Sequence, residues 1–286
     1  MSFYSSFFKS IFKAIAISTF GVASLIPIPE AANAEAPPTC SSSDGVGSGD
    51  TLKTAVQVQS ANLAYCLGTP SRFSLRIYQM GLCTSDPFSS PIATFSKNNC
   101  VTTMDSTAGV VSDLANSTVN LPNASSRPAS GTYTHAFIII GPDIGLKGTF
   151  NLSDGSGGTI SYYSTNEGGV STSSPSYNHT ETINDFGDEE DGYSAVWGPE
   201  IMPSGGQVSA LLTDSNLVKV GSASAVERLV AVFETNSGAP VVLSDSTNGL
   251  EVELVVTDGG YIVEFDGNGI PENFGSAPFK PVFTTF

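Results

Sequence analysis

The chain is short of charge, and shortest of positive charge. Lys and Arg number 11 against 27 Asp and Glu, charged residues make up 13% of 286, and the formal net charge is −16. That charged share is about half of what a soluble domain usually carries. A surface so negative repels phosphate backbones and anionic lipid heads, so neither nucleic acid nor an acidic membrane is an expected partner. After residue 34 no apolar run approaches the ~20 residues needed to cross a bilayer, so no membrane span is expected. The four cysteines include no C-x-x-C pair and have no histidine nearby, which disfavours zinc.

Catalytic patterns are equally scarce. No G-x-S-x-G elbow is present. Asp154-Gly-Ser156-Gly-Gly158 has the residue types of a serine-protease nucleophile loop in the wrong order, and reads as a turn of permissive glycines. Only two histidines exist. His135 falls inside an apolar alternation and is expected as a core or subsurface residue. His179, beside Glu181 and Asp185 in a polar stretch, is expected as a solvated loop histidine. The chain is therefore read as non-enzymatic. A hydrolase is the minor alternative, and it requires one of those imidazoles beside a serine or carboxylate in an open cleft.

The first 34 residues have the form of a secretory signal: Lys9 and Lys13, an apolar stretch over 14–28, and Ala32-Asn33-Ala34 as a cleavage site. Cleavage would leave 252 residues and, with two lysines and Glu30 removed, a net charge of −17. Export to an extracellular or cell-surface location is expected, or to the periplasm of a bacterium. Residues 35–52, rich in Pro, Ser and Gly, read as a flexible leader anchored at Cys40. Cys40, Cys66, Cys83 and Cys100 all follow the signal. An even count in an oxidising space implies two disulfides, which can pair in three ways. Short local loops favour Cys40–Cys66 and Cys83–Cys100, each adding ~3 kcal/mol on the chain-entropy model.

The remaining pattern is that of strands. Phe73, Leu75 and Ile77 alternate with Ser74, Arg76 and Tyr78 in a segment that the cysteines bracket. Shorter strands are expected at 92–95, around Val110-Val111 and at 119–121. Residues 132–140 carry apolar side chains on both faces, as in a central strand, and 146–152 read as their hairpin partner. Val208, Ala210 and Leu212 share a face, Val230 and Val232 alternate with Leu229, Ala231 and Phe233, and Leu250 to Val256 alternate with Glu251 and Glu253. Thr257-Asp-Gly-Gly260 reads as a hairpin turn into Tyr261, Val263 and Phe265. Residues 56–65 fit either a strand or a short helix, and no other window has a helical period. The expected fold is all-β: a secreted antiparallel β-sandwich or jelly-roll-like protein with a disulfide-stapled N-terminal half. It divides into an N-terminal β region (53–164) with the cysteines, a polar and acidic loop (165–192) and a C-terminal β region (193–286). One domain over 53–286 and two lobes are both open.

Three surfaces are candidates for function. Asp185, Asp188, Glu189, Glu190 and Asp191 crowd hard oxygens at a glycine turn, as a Ca²⁺ site does, although the order of an EF-hand loop is missing; Asp266 and Glu272 form a weaker second set. Trp197, with Tyr177, suits stacking on a sugar ring, against the commoner role of a buried core tryptophan. Phe279, Val282, Phe283 and Phe286 form an apolar terminal segment suited to completing a sheet in a neighbouring copy, or in its own chain. The expected function is that of a structural protein such as a filament, matrix or coat subunit, acting by self-assembly or attachment. A calcium-supported carbohydrate-binding or adhesive module, with extracellular glycans as partners, is the alternative.

Overall fold

The computed structural model describes residues 36–115, 128–187, 192–202 and 205–286. Residues 36–52 are tied down, in contrast to a flexible leader. Cys40 N donates to the Leu67 carbonyl (2.6 Å), Leu67 N donates to that of Pro38 (2.9 Å), and Val46 is fully buried. The disulfide Cys40–Cys66 fastens the same contact. The one α-helix among the described residues, α1 (Ala55–Ser60), starts at a capping box in which Thr54 and Gln57 satisfy each other's backbone amides. It buries Val58.

β1 (Tyr65–Gly68) precedes β2 (Arg72–Cys83), the twelve-residue strand at the centre of the largest sheet. Along one edge β2 pairs with β3 (Cys100–Asp113), from Ser74↔Asp113 to Cys83↔Cys100, and the second disulfide bridges that last pair. The intervening loop closes through a single bridge, Phe88↔Phe95, in place of a strand at 92–95. The segment at 119–121 lies outside the described residues. β4 (Gly131–Tyr133) leads to β5 (His135–Ile140) and β6 (Asp143–Lys147), which follow one another along the other edge of β2. The chain then leaves this sheet at Gly148, where a Cβ would lie 2.1 Å from the Tyr261 hydroxyl. The residues at 146–152 are thus split between two sheets and are not the hairpin partner of β5. β7 (Thr149–Ser153), β8 (Thr159–Ser164) and β9 (Val170–Ser171) form a small sheet of their own.

Within the polar stretch, β10 (His179–Thr182) adds to β6. β11 (Val196–Ile201), β12 (Gln207–Thr213) and β13 (Arg228–Glu234) form an antiparallel meander whose last strand pairs with β5. The main sheet therefore runs β10–β6–β2–β5–β13–β12–β11, with β3 on the far edge of β2. β14 (Val241–Leu243) pairs with β4. The last four strands are β15 (Leu250–Val255), β16 (Tyr261–Phe265), β17 (Pro271–Ser276) and β18 (Lys280–Thr285). β16 lies between β1 and β17, whereas β15 pairs with β18. The residues 257–260 do turn the chain, but into a different sheet and not into a β15–β16 hairpin.

All sheets are antiparallel, and the main one is covered on both faces. On one face Phe73, Leu75, Ile138, Leu212 and Phe233 pack with Ile262, Val256 and Phe279 from the C-terminal strands, so sheet lies on sheet as in a sandwich. Phe279 meets Phe73 and Phe233 at ring-centroid distances of 5.9 and 5.6 Å. On the other face Phe137, Ile139, Val230 and Val232 lie beneath Phe88, Ile92 and Phe95 of the disulfide-closed loop. Burying each such side chain stabilises the fold by roughly 1.5–3 kcal/mol, which explains why β5 and β13 are apolar on both faces.

The terminal aromatic segment completes the chain's own sheet. β18 pairs along its length with β15, from Leu250↔Thr285 to Val255↔Lys280. On its other edge the Asn236 amide takes the place of a strand: Phe283 N donates to Oδ1 (3.1 Å) and Nδ2 donates to the Phe283 carbonyl (3.5 Å). Phe279 and Phe283 are buried, Val282 is half-buried, and only Phe286 is exposed, at 68%.

Candidate functional site: a groove beside His135

The loop over the second face of the main sheet stops short of its end, and a groove of about 420 Å³ opens there. This is within the range of small-ligand sites, roughly 300–1,000 Å³. Its floor comes from three adjacent strands in register. His135 on β5 faces Glu234 on β13, and Phe137 faces Val232, which in turn faces Ser209 on β12. One wall is the disulfide-closed loop, through Asp86, Pro91 and Ile92. The other is Gly198-Pro199, where β11 bulges between Trp197 and Glu200. Gly198 makes the bulge possible: its φ is +86°, and a Cβ would stand 2.6 Å from the Val208 carbonyl.

Each ionisable side chain in the groove is anchored, the two carboxylates to backbone amides and the imidazole to a threonine. Asp86 Oδ1 accepts from Phe88 N (2.9 Å), and Glu234 Oε2 accepts from Gln207 N (2.9 Å). The His135 Nδ1 lies 2.9 Å from Thr134 Oγ1, whose own proton goes to the Thr84 carbonyl (3.2 Å). The threonine is left as acceptor, which assigns the proton to Nδ1 and turns the lone pair of Nε2 outward. His135 is thus half-buried at the rim of an open site and not enclosed in the core.

The other sequence candidates separate from this groove. Trp197 is 6% exposed and packs near Phe186, so it is a core residue and not a platform for sugar rings; Tyr177, 54% exposed, is not among the groove residues. Asp185 closes the base of the acidic loop by accepting from Gly187 N (2.8 Å) and Ser194 N (2.9 Å). Burial, and then the Asp185 carboxylate, pushes the Tyr193 phenol up to about 12. Asp188, Glu189, Glu190 and Asp191 lie outside the described residues. Asp266 is a turn residue: Oδ1 accepts from Asn268 N (2.9 Å) and Ile270 N (2.8 Å), and Oδ2 from Asn268 Nδ2 (3.1 Å). Among the described residues, no three His, Cys, Asp or Glu side chains converge as a metal site.

His179 corrects the expectation of a solvated loop. It begins β10, is 6% exposed, and lies against Gly168, with neither ring nitrogen hydrogen-bonded among the described residues. Burial lowers its pKa, and the Phe274 backbone opposes that shift only in part. A signal for this was present: Thr180 and Thr182 alternate with His179, Glu181 and Ile183, a strand period in a stretch that composition alone marks as loop. For Asp86, Gln207, Ser209 and Glu234 there was none, because only the pairing of β5, β13 and β12 brings them together. No family model matches the chain, and no curated protein or solved structure matches it either.

Proposed function

We propose that this is an exported, non-enzymatic protein of the cell surface or extracellular matrix that acts by attachment, with the His135 groove as its contact site. The groove itself carries this reading: it is an open, ligand-sized hollow whose polar groups are held in place by β5, β12, β13 and a disulfide-closed loop. Its chemistry favours binding over turnover. Thr134 spends its proton on a backbone carbonyl, and Ser89 donates to the Pro91 carbonyl (2.8 Å) while accepting from Ala93 N and Thr94 N. Neither hydroxyl is poised as a nucleophile for His135. Attachment is favoured over assembly through the C-terminal strand because β15 and Asn236 already occupy the two edges of β18.

Retention of the purified protein on extracellular material from its own source, compared with a groove-filling Ser209→Tyr variant, tests this. Loss of retention at unchanged melting temperature is expected. Equal retention of the variant overturns the reading, as does concentration-dependent oligomerisation of the free protein in size-exclusion chromatography, which would favour self-assembly.

A further inference from the structure

The unused hydrogen-bonding capacity of the groove is almost all of one kind, which identifies a ligand class if the groove is the attachment site. Its ionisable side chains are Asp86, His135 and Glu234, with no lysine or arginine among the lining residues. Each has one atom committed to the fold, at Phe88 N, Thr134 Oγ1 and Gln207 N respectively. What remains is Asp86 Oδ2, Glu234 Oε1 and His135 Nε2. None of these has a hydrogen-bond or ion-pair partner among the described residues, and all three are acceptors in the tautomer that carries its proton on Nδ1 toward Thr134. The walls differ in character: Pro91, Ile92, Pro199 and Val232 put apolar surface beside those acceptors.

Two carboxylates without a counter-cation among the described residues, flanked by apolar walls on a chain of net charge −16, complement a cation with an aliphatic stem. The cation donates charge-assisted hydrogen bonds and its methylenes cover the walls. We propose that the groove binds a primary ammonium on an alkyl chain, supplied either by a lysine side chain of a partner polypeptide or by a free alkylamine. The molecule contains its own contrast. The next stretch of the same loop borders a second hollow, of about 410 Å³, whose charged residues are Lys97 and Lys219 with no carboxylate. Similar size with opposite charge confines the ammonium to the His135 groove.

Calorimetric and NMR titration of the full chain tests this with four probes: 1,5-diaminopentane, the blocked peptide Ala-Lys-Ala, the same peptide with its lysine acetylated, and 1-pentanol. Both amines are expected to bind, more weakly at high salt, with shifts at His135 and Gln207 and none at Lys219. Acetylation or replacement by the alcohol should weaken binding at least about tenfold. Glu234→Gln and Asp86→Asn should each weaken amine binding without moving the melting temperature, because the amide oxygens still accept from Gln207 N and Phe88 N. Tighter binding of the peptide than of the diamine assigns the ammonium to a polypeptide partner, and the reverse order to a free amine. Equal affinity for free and acetylated lysine, or affinity unchanged in both variants, overturns the inference. If Ser209→Tyr abolishes retention but no amine binds, the groove attaches to something else. If neither occurs, the attachment reading falls as well.

Discussion

His135 and His179 each begin a strand attached to the continuous β5–β6 edge, one on β5 itself and one on β10 beside β6, and their surroundings differ in what is done with polar groups. Around His135 the inward-facing atoms are bonded to backbone or threonine, and the remaining acceptors open into the groove. Around His179 the seam between β10, β16 and β17 is closed. There His179 Nδ1 and Nε2, Tyr261 Oη and Ser276 Oγ are buried without a hydrogen bond among the described residues. An exposed acceptor costs little, since solvent or a ligand serves it, whereas a sealed one costs roughly 1–3 kcal/mol. The first region is suited to recognition. The second is a concession in stability, and it makes the fold sensitive to acid.

The largest change to this contrast comes from removing the Cys83–Cys100 disulfide, which ties down the groove wall and is remote from the seam. In Cys83→Ala/Cys100→Ala, urea unfolding should show a loss of ~3 kcal/mol, the chain-entropy value for a loop of this length. Groove binding should fall while the pH dependence of melting is kept. A loss well under about 1 kcal/mol would mean that the packing of Phe88 and Phe95 holds the loop without the bridge.

Next in size is His179. Its folded pKa is depressed, so its contribution to stability is complete above the unfolded value of about 6.5 and is lost as pH falls through the window below it. Glu181 lies on the same face of β10 as His179, and Glu264 lies on β16. Melting temperature should therefore drop between about pH 7 and 5.5. His179→Leu should flatten that drop and raise stability at its acid end by roughly 1–3 kcal/mol.

The smallest effect is expected at the turn carboxylates. Backbone N–H donors, with Ile270 foremost, hold Asp266 below the ordinary carboxylate range, and Asp154 and Asp214 are held down in the same way. Their depressed values stabilise the fold above the unfolded pKa of about 3.9 and cease to do so as pH falls below it. Asp266→Asn should slightly soften the acid limb of the melting curve below about pH 4 and leave the limb near pH 6 unchanged. The two limbs thus separate turn chemistry from the sealed imidazole.

The regular core strands could be read directly, because β5, β12 and β13 carry apolar residues at the strand period. The disulfides were legible for a similar local reason: both bridges close short loops, of 26 and 17 residues' separation. Pairing between strands was harder. Residues 257–260 have the residues of a hairpin turn and do reverse the chain, yet turn residues fix only a change of direction and say nothing about which strand is met next. The capping box at Thr54-Ala-Val-Gln57 was written in the sequence and decides for a helix where hydropathy left two choices. Trp197 had two readings that only burial distinguishes.

By itself, the sequence determined the local properties: extended segments with inward and outward faces, aspartate-capped turns, and cysteines close enough to bridge. The first two depend on residues within a few positions of one another, and the bridges on separations of only 26 and 17 residues. Tertiary structure alone decided which edges meet, and therefore which histidine is sealed and which opens beside Glu234, 99 positions further along the chain. The reason is physical: the free energy that selects one strand pairing over another comes from packing both faces of the main sheet at once, and no short window of sequence contains both faces.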